Sequence, residues 1–406
     1  MINWKKIIVW LLIFVIIIDI IDYFILGFGT YLRAIILFIF FITYLLITKK
    51  IIIDRVYSSF LIFFIYILFI SIINSSNYFI TFSGLLSILL STTFYFFSYN
   101  VFKSNYLNDL LYLKVWLFVI PILFIINLLI YNIFKIGEPI YGGLNTLRFG
   151  DLHHSRIYSG SLTLILSFVL FKYSKPKILL IILLFILFII LLLSLRRTAI
   201  ILVIQSFIIY LFFYKKKNKY FYLYIFSFIL IIWFFYPLYQ EKLIEIFEVR
   251  SDRIILSNET IEEESRFQES LVVTKKIFSF EDLQYSLIGT EFLNSFGTYS
   301  FFEFDPPNTR ILHTDYAVIL HGSGLLGLIL YSLFLFEIIR SIYLRIKLTG
   351  LKDDISILEL MILFVLIVVT FSGSILNVTF RTMFFIILGI CFRNNDNLFQ
   401  KKYLKY

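Results

Sequence analysis

Long apolar runs separated by short polar connections dominate the chain from residue 4 to residue 393. A helix of about 20 apolar residues matches the thickness of a bilayer core. We therefore predict an all-α polytopic membrane protein with about 12 transmembrane helices. A β-barrel would instead show alternating segments of about ten residues. The predicted spans are 5–26, 31–48, 56–74, 79–98, 113–134, 156–172, 177–195, 197–214, 220–238, 314–340, 355–375 and 378–393.

Two connections, 135–156 and 239–312, are longer than the others and predict the domain organisation. Residues 1–238 are expected to form a bundle of about nine spans, and residues 313–406 about three spans with a cytoplasmic tail. Residues 239–312 are expected to form a large extracytoplasmic loop with short helices. Within this loop, the apolar spacing over 265–280 predicts an amphipathic helix on the membrane surface.

Composition excludes a soluble domain, because the mean hydropathy is +0.93 and only 15% of the residues are charged. The single cysteine, Cys391, excludes a disulfide within the chain. The first apolar segment is too long for a signal peptide and lacks a small-residue cleavage site, so we interpret it as a span. No phosphate-binding loop, metalloprotease motif or serine-hydrolase elbow is found, and we expect no cofactor, no metal and no nucleic-acid partner.

Lysines predict the orientation of the spans. Most lysines fall in alternate short connections and in the C-terminal tail, which the positive-inside rule assigns to the cytoplasm together with both termini. Of the 36 basic residues, 22 then lie on the inner face (18 Lys, 4 Arg) and 14 on the outer face (10 Arg, 4 Lys). The outer arginines are Arg33, Arg148, Arg156, Arg196, Arg197, Arg250, Arg253, Arg266, Arg310 and Arg381.

Arginine on the outer face is not needed for topology, and its planar guanidinium suits bidentate binding of phosphate. Arg196 and Arg197 stand at the outer junction of two apolar spans, where we favour phosphate binding over a snorkelling anchor. Arg266 follows three glutamates, so a solvated ion pair stays open as an alternative. Arg310 precedes the next span.

His313 is the main catalytic candidate, because it heads a span between Arg310 and Asp315 at the outer interface. An imidazole there can act as a general base on a substrate hydroxyl, or it can simply lie at the interface. Asp315 and the deeper His321 are secondary candidates, and for His321 we favour a packing role. The glycines that follow, Gly322, Gly324 and Gly327, are interpreted as sites of close helix packing.

Arg148 and Arg156 are also secondary candidates and flank Asp151-Leu-His-His-Ser155. Adjacent side chains point in different directions, which argues against a zinc site at the two histidines. Asp19 and Asp22 in the first span are functional candidates, because carboxylates are costly in lipid, or they pair with Arg33.

An ordered set of motifs resembles the superfamily of O-antigen polymerases and O-antigen ligases of bacterial envelopes. The set is Ser194-Leu-Arg-Arg-Thr-Ala199 opening a span, Glu264-Ser-Arg266 before a helix, Ile288-Gly289, His313, and Gly324-Leu-Leu-Gly327. The chain departs from the superfamily at Thr314, where the ligases carry Asn, Ser or Gln, and at Gly289-Thr290-Glu291, which replaces a Gly-x-Gly.

The resemblance implies a metal-independent, inverting glycosyltransferase in the bacterial cytoplasmic (inner) membrane, which makes O-antigen, capsule or exopolysaccharide. Arg197 or Arg196, with Arg266, would bind the pyrophosphate of an undecaprenyl-linked oligosaccharide, and His313 would orient or deprotonate the acceptor. A chain-length regulator and a flippase would be its protein partners, and membrane lipid its surroundings. We favour a repeat-unit polymerase; the alternatives are a ligase acting on lipid A-core, a polysaccharide flippase, and a transferase using polyprenyl monophosphate sugars.

Overall fold

The computed structural model describes residues 3–21, 29–48, 51–74, 78–102, 106–134, 138–139, 148–149, 157–194, 197–213, 265–290, 299–301, 308–310, 312, 314–351, 353–372 and 378–403. These residues are predominantly helical. The helices are α1 (Trp4–Ile21), α2 (Gly29–Ile47), α3 (Arg55–Asn74), α4 (Tyr78–Val101), α5 (Tyr106–Leu111), α6 (Lys114–Ile133), α7 (Ile157–Leu170), α8 (Lys177–Leu193), α9 (Arg197–Phe213), α10 (Ser265–Phe278), α11 (Leu283–Ile288), α12 (Asp315–Thr349), α13 (Asp354–Ser372) and α14 (Val378–Tyr403).

Two antiparallel strand pairs lie in the long connections 135–156 and 239–312. Strand β1 (Glu138–Pro139) pairs with β2 (Arg148–Phe149), and β3 (Tyr299–Phe301) pairs with β4 (Asn308–Arg310). The register of the second pair sets Tyr299 opposite Arg310. This pair lies in the connection that leads to α12.

Four described helical segments are long and apolar enough to cross a membrane, namely Arg55–Asn74, Gly84–Val101, Asn108–Ile130 and Asp315–Thr349. The described helices α7, α8 and α9 are apolar but shorter. The prediction of a helical protein with membrane character is therefore confirmed. The predicted span 220–238 lies outside the described residues.

The faces of α3 show why this helix belongs in lipid. Ile62, Ile65 and Phe69 follow helical spacing and are 55–61% exposed, whereas Phe60, Phe63 and Ile67 on the other side are buried. A row of large exposed apolar side chains is unfavourable in water and favourable against lipid tails. The buried side packs on α12, where Phe63 contacts Tyr331 and Phe60 contacts Phe334.

Helices α4 and α14 pack closely against each other at a glycine. A Cβ at Gly389 of α14 would lie 2.5 Å from the Tyr95 carbonyl oxygen and 2.9 Å from the Ser98 Cβ of α4. Only a residue without a side chain permits this approach. Around this contact, aromatic rings of α2, α3 and α4 fill the main core.

A polar cluster joins α12, α13 and α14 at the end that the lysines assign to the cytoplasm. Arg345 is buried and donates to Asn395 Oδ1 (2.5 Å), Asp353 Oδ2 (2.6 Å) and Ser356 Oγ (3.3 Å). Asn395 also donates to Glu359 Oε1 (2.8 Å), and the Arg345 Nε lies 3.8 Å from Glu359 Oε2. These contacts compensate the burial of charged groups.

Two helices continue beyond the spans predicted from the sequence, at the end of the bundle that the lysines assign to the cytoplasm. The span predicted over 314–340 continues to Thr349, and the span predicted over 378–393 continues to Tyr403. The apolar pattern stops before the helices do, because Arg345 and Asn395 are paired with each other inside the bundle. Pairing allows the helices to continue with polar side chains.

Candidate functional site

The first turns of α7, α9 and α14 meet at the end of the bundle that the lysines assign to the outer face. Ser161 of α7 donates to the carbonyl of Ala199, two residues after Arg197 (3.1 Å). The ring of Tyr158 lies 5.9 Å from that of Phe380 in the first turn of α14. Because Arg197 and Arg381 are close to the first turns of their helices, the backbone brings two cations of the outer arginine set to one end of the bundle.

Arg381 is associated with the first turn of α12. Asp315 and Arg381 are 1% and 3% exposed, and they lie close enough for the carboxylate charge to act on the guanidinium. A buried charge of either sign is costly unless an opposite charge accompanies it. The beginning of α12, next to His313, therefore lies near the beginning of α14.

Helix α12 is broken at Gly324, which has φ 62° and ψ −165°. In an uninterrupted helix, Asp315 and Tyr331 would be separated by about 24 Å along the axis. They are instead close enough for the Asp315 charge to act on the Tyr331 hydroxyl. The chain therefore bends at Gly324, between the segments 315–323 and 325–349. From the sequence we interpreted Gly324 as a site of close helix packing, and this interpretation did not include a break in the backbone.

The surface helix α10 packs on the short segment 315–323. Ser270 and Thr314 are joined by a hydrogen bond between their hydroxyl groups (3.0 Å), and Thr314 caps α12 by accepting from the Ala317 N–H (3.2 Å). One turn further, the hydroxyls of Thr274 and Tyr316 are 3.3 Å apart. Residue 270 lies about one helical turn after Arg266. The backbone of the helical turn that contains Arg266 therefore lies near Thr314, the residue that follows His313.

Helix α11 brings a second backbone into contact with the break. Gly289 has φ 80°, and a Cβ there would lie 2.5 Å from the Ser323 nitrogen. A Cβ at Gly324 would lie 2.4 Å from the Leu287 carbonyl carbon. Both glycines have backbone angles that L-residues rarely adopt, and both leave room for direct backbone contact. Gly289 and Gly324 of the motif set therefore meet in space.

His321 lies at the centre of this contact. Its Nδ1 is 2.6 Å from the Tyr285 hydroxyl, and its Nε2 is 3.3 Å from the Thr290 hydroxyl. The Thr290 N–H donates to the His321 carbonyl (3.1 Å). Burial, and secondarily the charge of Asp282, raises the pKa of Tyr285 well above its ordinary value. The tyrosine hydroxyl therefore stays protonated and can donate to the imidazole.

The structure describes the predicted site residues unevenly. Arg197 begins α9, Arg266 lies in the first turn of α10, Arg310 ends β4 and Arg148 begins β2, with their backbone alone described. His313, Arg196 and Arg156 lie outside the described residues, as does Asp22, and the side chain of Asp19 is not described. Asp315 and His321 are described with their side chains.

Sequence reasoning missed several residues that hold this region together. Arg381 belonged to the outer arginines but was not assigned to the site, although an arginine in the first turn of an apolar span was a usable signal. Tyr285, Thr290 and Tyr66 carried no such signal. Their roles depend on contacts with His321 and Ser323, which are far away in the chain.

The first turns of four helices, α7, α9, α12 and α14, therefore lie at one end of the bundle. Unpaired backbone N–H groups and the helix dipole make such ends electropositive. Arg197 begins one of these helices, and Arg381 is buried in the first turn of another.

The class that the fold supports is a helical protein with membrane character. No protein-family model and no curated protein matches the chain. The functional argument therefore depends on the motifs and on their arrangement in space.

Proposed function

We propose that the protein is an oligosaccharide repeat-unit polymerase of a bacterial cytoplasmic membrane. It would transfer glycan from an undecaprenyl-pyrophosphate-linked oligosaccharide to a second glycan on the outer face. The observation that carries this proposal is the meeting of α9, α10, α12 and α14 at one end of the bundle. Arg197, Arg266 and Arg381 lie in three of these helices, and Thr314, the residue after His313, caps the fourth.

The transfer needs an anion-stabilising site rather than a redox centre. The acceptor hydroxyl oxygen forms a bond to the anomeric carbon of the donor, and the bond from that carbon to the pyrophosphate oxygen breaks. The pyrophosphate keeps the electron pair, and His313 accepts the hydroxyl proton. A single displacement inverts the anomeric centre. Arginines and helix ends in a poorly hydrated site stabilise the developing charge on the leaving group.

The membrane arrangement belongs to the proposal. About 12 spans with both termini in the cytoplasm would place residues 239–312 outside. The lipid-linked donor could then reach the arginines from the outer leaflet. A large outer loop also favours a transferase over a flippase, in which short loops and charges near the membrane midplane are typical.

Purified protein in liposomes, supplied only with a defined undecaprenyl-pyrophosphate repeat unit, tests the proposal. We expect products that are whole multiples of the unit, with release of undecaprenyl pyrophosphate. Product that forms only after lipid A-core is added would instead identify a ligase. Movement of the lipid-linked unit across the bilayer without lengthening would identify a transporter.

A further inference from the structure

The contact between α11 and the broken helix α12 contains an unusually complete set of hydrogen bonds outside the residues assigned to the chemistry. The Tyr285 hydroxyl meets His321 Nδ1 at 2.6 Å, and the Thr290 hydroxyl meets His321 Nε2 at 3.3 Å. Thr290 also donates to the His321 carbonyl through its N–H (3.1 Å) and its hydroxyl (3.4 Å). Both ring nitrogens of His321 thus face the outer segment.

The donors and acceptors of this set are mutually consistent. The protonated Tyr285 hydroxyl donates to Nδ1, so Nε2 carries the imidazole proton and donates to the Thr290 oxygen. The Thr290 hydroxyl proton is then available to the His321 carbonyl. Each of these groups is therefore hydrogen-bonded to another member of the set, and a fully hydrogen-bonded polar network fixes a single geometry.

The backbone beneath this network is close-packed, and apolar side chains of the same segments, among them Ile277 and Leu320, pack beside it. At Gly289 and Gly324 the two chains approach each other with no side chain between them. The carbonyls of His321 and Ser323 lie just before the break, where helical hydrogen bonds end. Thr290 donates to the first carbonyl, and Tyr66 of α3 donates to the second (2.9 Å).

We propose that Tyr285, His321 and Thr290 form a positioning latch that fixes the segment 265–290 on the broken helix. The latch, defined as these three residues, sets the position of the Arg266 turn relative to Thr314 and Asp315. His321 is in this view a positioning residue and not a catalytic one. The effect of the latch on catalysis rests on the proposed function. The latch itself can be measured without an activity assay.

Hydrogen exchange of the full-length protein tests the latch directly. In Tyr285→Phe and Thr290→Val, amide protection over 283–290 should fall about fivefold for each lost hydrogen bond. Tyr343→Phe is the control, because Tyr343 lies on α12, the helix that carries His321, and its side chain is 60% exposed. Unchanged protection in both latch variants would overturn the proposal. Thr290→Val removes only one side-chain hydroxyl, so it remains informative if the tyrosine variant folds poorly.

Kinetics distinguish positioning from chemistry. Loss of the latch should raise KM for the lipid-linked donor about fivefold per bond, whereas kcat at saturating donor should change less. Bound donor favours the arrangement in which the Arg266 turn lies next to Thr314, and so compensates for a weakened latch. A fall in kcat that donor does not restore would assign His321 to the reaction and overturn the positioning role.

A covalent replacement provides the decisive experiment. Cys391 is the single cysteine of the chain, so Cys391→Ser gives a background for the pair Thr290→Cys and His321→Cys. When this pair is oxidised to a disulfide, donor KM should return close to that of the background protein, and reduction should raise it again. Equal KM values in the two states would overturn the proposal. Absence of polymerisation in the unmodified protein would instead refute the proposed function and leave the exchange result to decide the latch.

Discussion

At the residue scale, Gly324 has two separate reasons to be glycine. Its φ of 62° and ψ of −165° lie in a region that other residues rarely occupy, and a Cβ would contact the backbone of Leu287 at 2.4 Å. The first reason is backbone strain and the second is steric. The two contributions can be separated, because Gly350 has a similar backbone conformation, with φ 64° and ψ 177°.

We expect Gly324→Ala to destabilise the protein by about 2–5 kcal/mol, from strain and overpacking together. Gly350→Ala should show the strain alone, about 1–3 kcal/mol. Thermal unfolding in detergent measures both. Equal losses in the two variants would show that the contact with Leu287 does not constrain the break.

His313 is expected to act as a base, so His313→Ala should abolish polymerisation while donor binding persists. His313→Gln should not rescue activity, because an amide forms hydrogen bonds but cannot accept the proton near neutral pH. Polymer yield and donor binding in liposomes provide the measurement. Near-normal polymer from His313→Gln would make the histidine a positioning residue and Asp315 the next candidate base.

Arg197→Lys and Arg266→Lys should weaken donor binding although the charge is retained, since lysine lacks the bidentate geometry of arginine. In the transition state, loss of one such donor should cost about 2–4 kcal/mol. Titration with the lipid-linked donor tests the binding effect. Arg340→Lys is the control, because Arg340 is half-exposed and pairs with Glu337 on the same helix. An equal effect in Arg340→Lys would exclude a specific role for the two outer arginines.

At the scale of elements, one arginine joins three helices. Arg345 of α12 contacts Asp353 and Ser356 at the beginning of α13 and Asn395 of α14. Arg345→Ala would leave Glu359, which is 0% exposed, without its compensating cation. We expect a loss of about 3–5 kcal/mol in unfolding free energy.

Arg340→Ala is the matched control for this prediction, because its pairing with Glu337 is intrahelical and half-exposed. It should cost at most about 1 kcal/mol. Thermal unfolding of both variants in detergent makes the comparison. Similar losses of unfolding free energy in the two variants would show that the Arg345 cluster does not stabilise the contact between α12, α13 and α14.

The same cluster predicts a pH dependence. Burial raises the pKa of Asp353, but the Arg345 charge and hydrogen bonds from Ser356 and Arg345 outweigh it, so the pKa is lowered from its ordinary 3.8. The stabilisation is therefore complete above the unfolded value and is lost as the pH falls through the lower folded value. The Tm difference between the unmodified protein and Asp353→Asn should be constant from about pH 7 to 5 and shrink below about pH 4. A difference that grows on acidification would contradict this.

The elements also show how far sequence reasoning reaches. The apolar pattern predicts 56–74 where α3 runs Arg55–Asn74, and 265–280 where α10 runs Ser265–Phe278. The break at Gly324 was missed, because the glycines that follow His321 were interpreted as sites of close packing within a continuous helix. The Arg345 cluster was also missed, because Asn395 is brought close only by packing. In the candidate site, the motif set contains Gly289 and Gly324, which the structure brings together, but the proximity of Asp315 to Arg381 needed the structure.

At the scale of the whole molecule, the orientation in the membrane determines which charges can meet a substrate. Reporter fusions after Lys219 and Lys347 should be cytoplasmic, and fusions near Glu262 should be external, because lysine-rich connections stay inside. Enzymatic reporters with opposite compartment requirements measure this. An external reporter after Lys219 would reverse the side of the arginines and remove the basis of the proposed function.

The break in α12 also has a consequence for the order in which the protein assembles. Carbonyl groups exposed at a break are costly in lipid unless donors reach them, and here the donors come from Tyr66 and Thr290. Tyr66 and Thr290 are synthesised before α12, so both donors are present when the carbonyl groups of that helix emerge. Without them, the 35-residue helix would be about 52 Å long if straight, well beyond the bilayer core of about 30 Å. We therefore expect deletion of 265–290 to straighten and tilt α12, which spin-label distances between its two segments would detect as a lengthening.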